Sequence, residues 1–258
     1  MSLLIRDKSY SKKNKDAVPL ARITGGPDDK KLIYLIQDEE KGEAEIKLTK
    51  GKIVVLPRLD KVEKIYVSGV SGSGKSTWCS SWLKEFLRKD HKHDPIYLVS
   101  AVGYDKAFDD KFPDNIERID LEDILTDPIH PNDLEDSVVV LDDSDSILDR
   151  RVNKVVADLR DNLLECGRHT NTRMLCTSHI LSNYKATRKL LNEATTVVTF
   201  PRSGGAFHIR TFLEKYCGFS KTQVKKFMGL KSRWCSVSRQ YTPYAMHEKG
   251  VYLIDNEE

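Results

Sequence analysis

Between an apolar run at residues 64–68 (KIYVS) and a stretch with apolar residues at helical spacing lies Gly69-Val70-Ser71-Gly72-Ser73-Gly74-Lys75-Ser76, followed by Thr77. Its three glycines make a turn tight enough for backbone N–H groups to point inward, and Gly74 tolerates a conformation that a side chain forbids. The helix expected next runs to about Lys89 and carries Trp78, Trp82, Leu83, Phe86 and Leu87 on one face. Its positive end points back at the turn. Strand, glycine turn and helix in immediate succession restrict this part of the chain to a βα unit that wraps an anion.

The eight residues match G-x-x-x-x-G-K-[ST] at every position. In that pattern the backbone from Gly69 to Thr77 cradles phosphate oxygens. Lys75 brings a mobile ammonium to the β- and γ-phosphates, and the Ser76 hydroxyl ligates Mg2+. The usual partner of such a loop is an apolar strand with an acidic end, and residues 137–142 (SVVVLD) supply it. Asp142 stands where a carboxylate holds magnesium through its water shell, and Asp143 where one polarises the attacking water as general base. The other reading of DDSDSILD is an acidic loop that caps the next helix through Ser144 or Ser146, with Asp145 and Asp149 at the helix start. Asp145 is read as structural. A guanine-reading N-K-x-D motif is missing, since Asn153-Lys154-Val155-Val156 lacks the aspartate, so ATP is expected over GTP.

Elsewhere the pattern alternates. Further strands are expected at 95–102, 173–179 and 196–200. A helix at 147–166 would bury Leu148, Val152, Val155, Val156, Leu159 and Leu163 and end at Gly167. Alternation of this kind predicts an α/β fold with a largely parallel, doubly wound sheet, and the glycine–lysine motif makes it a P-loop NTPase. Before it, short strands at 20–24, 32–37, 45–48 and 53–56 predict a small antiparallel β element over 18–60. Residues 1–17 read as a disordered basic tail, 61–205 as the ATPase core, and 206–258 as an extension. That extension has helices at 207–216 and 221–228 and a hairpin of 233–238 with 250–254. No apolar run approaches the ~20 residues of a membrane span. Five scattered cysteines without a C-x-x-C pair fit a reducing compartment, not a disulfide framework or zinc site.

Two groups of polar residues remain. Thr177, Ser178 and His179 end the fourth strand, on the edge of a parallel sheet where ligands bind. His179 is the first choice for a γ-phosphate sensor and Ser178 the second, against an ordinary strand end. Arg168, before that strand, would neutralise phosphate charge in its own chain or in a neighbour's site, against a solvated or salt-bridged residue. Arg150, Arg151, Arg188 and Arg202 are weaker candidates of the same kind. Lys221, Lys225, Lys226, Lys231 and Arg233, with Phe227 and Trp234 among them, suit either nucleic-acid backbone contact or a solvated helix face. His91 and His93 lie in a loop composition.

In order, IYVSGVSGSGKST, VVVLDDSD and GRHTNTRMLCTSH resemble the genome-packaging ATPases of nucleocytoplasmic large DNA viruses, the poxvirus-type members of the FtsK/HerA superfamily. The resemblance covers residues 64–202. It implies a homo-oligomeric, ring-shaped motor that uses ATP and Mg2+ to move double-stranded DNA into a capsid. Capsid proteins would be its partners, and the host-cell cytoplasm and the virion its locations. It also implies Lys75 and Ser76 on phosphate and magnesium, Asp142 on magnesium, Asp143 in water activation and His179 as sensor. On the residues alone, a nucleoside or nucleotide kinase on the same core and a nucleotide-dependent assembly or switch protein also remain open. The kinase would need an arginine-rich lid, and none is evident.

Overall fold

Two units divide the chain in the computed structural model, which describes residues 1–88, 91–183 and 187–254: Met1–Asp60 with Val198–Glu258, and Lys61–Val197. The first unit begins with β1 (Ser2–Arg6), the short α1 (Tyr10–Lys13), β2 (Val18–Thr24), β3 (Leu32–Ile36), β4 (Glu45–Lys47) and β5 (Lys52–Val55). Four of these strands form an antiparallel sheet in the order β1-β3-β2-β5. The expected tail over residues 1–17 is therefore corrected. β1 pairs with β3 from Ser2 opposite Ile36 to Arg6 opposite Leu32, and Leu3 is fully buried. The cause lies in β3, whose residues LIYLI are all buried, so both its edges need hydrogen-bonding partners. Leu3, Leu4 and Ile5 supply one from within an otherwise polar leader. Tyr10 packs against Tyr34, ring centroids 5.4 Å apart.

The second unit alternates strand and helix. It contains β6 (Lys64–Ser68), α2 (Lys75–Phe86), β7 (Ile96–Ser100), β8 (Ile116–Arg118), α3 (Asp123–Thr126) and β9 (Val138–Asp142). Then come α4 (Arg150–Cys166), β10 (Arg173–Ser178), α5 (Arg188–Glu193) and β11 (Thr196–Thr199), the last crossing the division. The strands run parallel in the order β6-β10-β9-β7-β8. This is the largely parallel, doubly wound sheet that alternation predicts. In sequence β7 and β8 separate β6 from β9, whereas in space β10 does. The C-terminal end of β10 thus lies between the glycine turn and the acidic pair.

Helix boundaries moved for local reasons. α2 ends at Phe86, with the Leu87 N–H bonded to the Leu83 carbonyl; Lys89, its expected end, lies outside the described residues. α4 starts at Arg150, because Asp149 accepts hydrogen bonds from the N–H groups of Arg151 and Val152. Ser144 and Ser146 belong instead to a separate 3-10 turn. Leu148 is consequently left out of the buried stripe and is 97% exposed, while Val152, Val156, Leu159 and Leu163 are buried.

Gly167 ends α4 in a right-handed conformation, so handedness is not what requires glycine there. A Cβ would sit 2.6 Å from the Leu163 carbonyl oxygen and 3.0 Å from that of Thr172, both backbone. Gly167→Ala is expected to destabilise the protein by about 1–3 kcal/mol through this overpacking, read as a lower urea midpoint at unchanged slope. An unchanged midpoint would show that the turn into β10 yields freely.

The remainder of the first unit holds α6 (Ala206–Tyr216), α7 (Lys221–Met228), β12 (Cys235–Ser238), β13 (Tyr244–His247) and β14 (Gly250–Leu253). The expected two-stranded hairpin is a meander in which β13 pairs with both β12 and β14. YAMH has no β-branched residue and gives little strand signal, yet it is buried throughout. β14 also pairs with β4, Val251 opposite Ile46. Residues 45–47 therefore join the C-terminal sheet, not the N-terminal element assigned to them.

Candidate functional site

β6 delivers the chain to Gly69, whose N–H donates to the Ser178 carbonyl at 3.1 Å and so ties the start of the turn to the end of β10. Ser73 N–H donates to the Val70 carbonyl at 3.1 Å, closing the turn on itself. Gly72 and Gly74 both have left-handed backbones, with φ of 73° and 109°. Gly74 is also the N-cap of α2, where a side chain would be strained. Gly72 is exposed, and a Cβ there would meet nothing within 4 Å, so its left-handed backbone and not crowding is what calls for glycine. Val70, Ser71 and Thr77 are exposed, and Ser76 is half-buried in the first turn of α2.

Lys75 is only 6% exposed, and its ammonium turns back over the loop. It donates to the Gly69 carbonyl at 3.1 Å and lies 3.2 Å from Asp143 Oδ1 and 3.4 Å from His179 Nδ1. A lysine can only donate, so His179 Nδ1 accepts and the imidazole proton sits on Nε2. From there it reaches Asp143 Oδ2 at 3.2 Å. Lysine, histidine and aspartate form a closed circuit.

Asp142, at the end of β9, is 3% exposed. Thr177 Oγ1 lies 2.9 Å from its Oδ1, and Ser100 Oγ donates to its Oδ2 at 3.3 Å, so three strands converge on one carboxylate. Burial, then the charge of Asp143, pushes its pKa up to about 6. Asp143 adopts a left-handed backbone, φ 44°, which turns its carboxylate toward Lys75. Its N–H donates to Thr177 Oγ1 at 2.7 Å, and the same hydroxyl lies 3.0 Å from Asp143 Oδ1. One hydroxyl proton thus serves two carboxylates.

The structure brings together Lys75, Asp142, Asp143 and His179, four residues that the motifs single out. It adds Ser100, and it gives contacts to Thr177, noted only as a polar strand end, and to Asp145, read as structural. Thr177 clamps both aspartates, and Ser100 holds Asp142 from β7. Asp145 accepts from Ser178 Oγ at 2.7 Å and from the His179 N–H at 3.0 Å, and so orients the end of β10. The polar end of each strand was a usable signal for Thr177 and Ser100, but only the spatial order makes them neighbours.

Arg168 is placed elsewhere. α4 leaves the edge that carries Asp142 and its 17 residues span about 25 Å. It ends at the opposite edge, where β10 begins. Arg168 is exposed there, near Lys64 at the start of β6, whose ammonium pKa is lowered by burial above all and also by the Arg168 charge. Its expected reach to phosphate within its own chain is corrected by the length of this helix.

The donor set fits a magnesium triphosphate. Ser73 Oγ is 8% exposed at the residue level and has no hydrogen-bond partner among the described residues. Asp142, a buried carboxyl whose ionised form is disfavoured, shares the Thr177 hydroxyl with Asp143, the partner of Lys75. Asp143, Asp145 and His179 also offer ligand-type atoms within 4.8 Å of one another. There, however, the Lys75 ammonium and the hydrogen bonds to Asp145 already supply the positive partners.

No family model matches the chain. It is 33% identical over 248 residues to the uncharacterized protein V3 of Sputnik virophage, covering 95% of this chain and 99% of that protein. Among solved structures, the cytoplasmic domain of the type VII secretion ATPase EccC of Thermomonospora curvata superposes with a TM-score of 0.51 at 14% identity, over 95% of this chain and 30% of that one. The DNA-packaging ATPase B204 of Sulfolobus turreted icosahedral virus gives 0.46 at 12% identity, over 78% of this chain and 100% of that one. The likeness to the secretion ATPase shows a shared fold, that of a P-loop NTPase. Among the described residues no helix is long and apolar enough to cross a membrane.

Proposed function

The chain belongs to the family of protein V3 of Sputnik virophage, and on that footing we propose that it is an ATP-hydrolysing motor that translocates double-stranded DNA. The observation that carries the hydrolytic part is the convergence of Lys75, Asp143 and His179 within about 3.4 Å of one another beside the glycine loop. A relative encoded by a virophage and the packaging-ATPase pattern of the sequence support the DNA part. Within that reading the chain is a genome-packaging ATPase of the FtsK/HerA type, assembled as a ring with a capsid as its destination. Such a protein works in the cytoplasm of an infected cell.

The residues divide the work. Backbone N–H groups from Gly69 to Thr77 hold the phosphates of ATP, and Ser73 Oγ gains the partner it lacks. Lys75 exchanges Asp143 for the β- and γ-phosphate oxygens. Ser76 and Asp142 would hold magnesium, which would supply charge neutralisation at those oxygens. Asp143, released by Lys75, takes a proton from the attacking water at a carboxylate oxygen as the bond to the terminal phosphorus forms and the bond to the leaving oxygen breaks. His179 stays bound to Asp143 and, through Asp145, to the end of β10, so it registers whether the γ-phosphate is present. Arg168, remote from the loop of its own chain, is assigned to the site of a neighbouring subunit.

Turnover measured with and without duplex DNA tests the reading. Duplex is expected to raise ATP hydrolysis several-fold, with assembly beyond a monomer when ATP is present. Equal turnover with and without DNA, by a strict monomer, would overturn the motor.

A further inference from the structure

Positive charge is distributed unevenly along this chain. Residues 206–233 hold seven lysines and arginines and one glutamate, a balance of +6 in a protein whose total is +3, so the rest is net acidic. These residues are α6, α7 and the turn that follows, in the unit without the glycine loop. Lys226 is committed: it pairs with Glu45 at 2.9 Å and lies 4.2 Å from the centroid of the Tyr252 ring. Arg210, Lys215, Lys221, Lys225, Lys231 and Arg233 are exposed, and none forms an ion pair among the described residues. Arg210 and Glu214 stand one helical turn apart and still do not pair. Arg210 of α6 and Lys221 and Lys225 of α7 line one groove between the two helices.

We infer that this groove is where the protein grips the backbone of double-stranded DNA, an inference that rests on the motor reading. Buried Val224, Phe227, Phe212 and Leu213 hold the two helices together, so the cations stand on a packed scaffold and not on a mobile loop. Exposed like charges without partners cost stability, and a ligand that supplies regularly spaced anions reverses that cost. Duplex DNA carries one charge per ~1.7 Å of axis and yields affinity by counterion release without apolar contact. The groove suits such a ligand, because its exposed side chains are ammonium and guanidinium with a single carboxylate, and its accessible apolar surface comes from the half-buried Met228. An acidic protein partner would need a larger apolar anchor at the centre of the interface than Met228 provides. Single strands are gripped by rows of stacking aromatics, and the only exposed aromatic on α6 and α7 is Phe207. Contact with phosphates alone is also independent of base sequence, as a translocating motor requires.

The test uses the full chain with Arg210→Glu, Lys221→Glu and Lys225→Glu combined, and the triple alanine variant beside it. Binding of a mixed-sequence 30-base-pair duplex is followed by fluorescence anisotropy across a salt series. The charge-reversed protein is expected to bind at least about ten-fold more weakly, with a salt slope shallower by about 3, near 0.9 for each phosphate no longer neutralised. DNA stimulation of turnover should disappear, while DNA-independent turnover stays at its wild-type value because none of the three residues belongs to the catalytic cluster, and the melting temperature should not fall because like-charge repulsion is relieved. Unchanged duplex affinity and slope in a folded variant would overturn the inference and leave the motor reading standing. Loss of binding confined to a single-stranded probe or a polyglutamate peptide would also overturn it. A wild-type protein that binds no duplex at all would overturn both.

Discussion

Asp143→Asn is expected to lower kcat for ATP hydrolysis by about 10²- to 10³-fold while nucleotide affinity is held or improved. The split follows from the way these side chains pair. Asp143 Oδ1 holds the Lys75 ammonium at 3.2 Å, and Oδ2 holds His179 at 3.2 Å, so nucleotide must take Lys75 away from an anionic partner. Asparagine keeps the shape but removes the negative charge. Lys75 is then released more readily to phosphate, whereas the water loses the group that accepts its proton. Equilibrium binding of a fluorescent ATP analogue and single-turnover hydrolysis separate the two effects. Near wild-type turnover would remove Asp143 from the chemistry. A variant that no longer binds nucleotide would show that the carboxylate serves mainly to shape the loop.

The second large effect concerns Asp142 and runs in opposite directions for stability and activity. Its carboxyl titrates near 6 in the folded protein against an ordinary value near 4, because it is buried beside Asp143. Well below pH 4 it is protonated both folded and unfolded, and it costs nothing. Between about 4 and 6 the folded state keeps a proton that the unfolded state releases, so stability falls as pH rises. Above 6 the full cost applies, up to about 3 kcal/mol for a shift of two units. Asp142→Asn removes the ionisation and retains an acceptor for Thr177. The variant should therefore unfold at higher urea than wild type at pH 8 in EDTA, and the advantage should vanish near pH 4. Magnesium-dependent turnover should meanwhile drop by about 10²-fold or more, since the buried anion is what the metal requires. A stability difference that does not change with pH would refute the raised carboxyl. Full turnover in the variant would move the metal to another residue.

The glycine loop, its lysine and its helix were legible because they are contiguous: the turn needs glycine where the backbone is left-handed, and the helix end needs no distant partner. The same holds for the apolar strand that ends in Asp142 and Asp143. What misled were the places where long-range packing overrides local pattern. Leu3 and Leu4 look like part of a polar leader until β3 demands a neighbour on its open edge. Leu148 continues a helical stripe by spacing alone, but Asp149 caps α4 one residue later and leaves the leucine in solvent.

For this protein, then, sequence by itself determined an anion-wrapping βα unit, an α/β fold, and the identities of the ammonium and carboxylates that face each other. Short-range sterics and the apolar period suffice for those. Only the tertiary structure decided that β10 lies between β6 and β9, and with it that Thr177 clamps two aspartates while His179 closes a circuit with Lys75. It also decided that Arg168 sits a helix length away, and that residues 45–47 complete a sheet begun some two hundred positions later. Strand order depends on which exposed edges find partners once the whole chain has collapsed. No local window of residues contains that information.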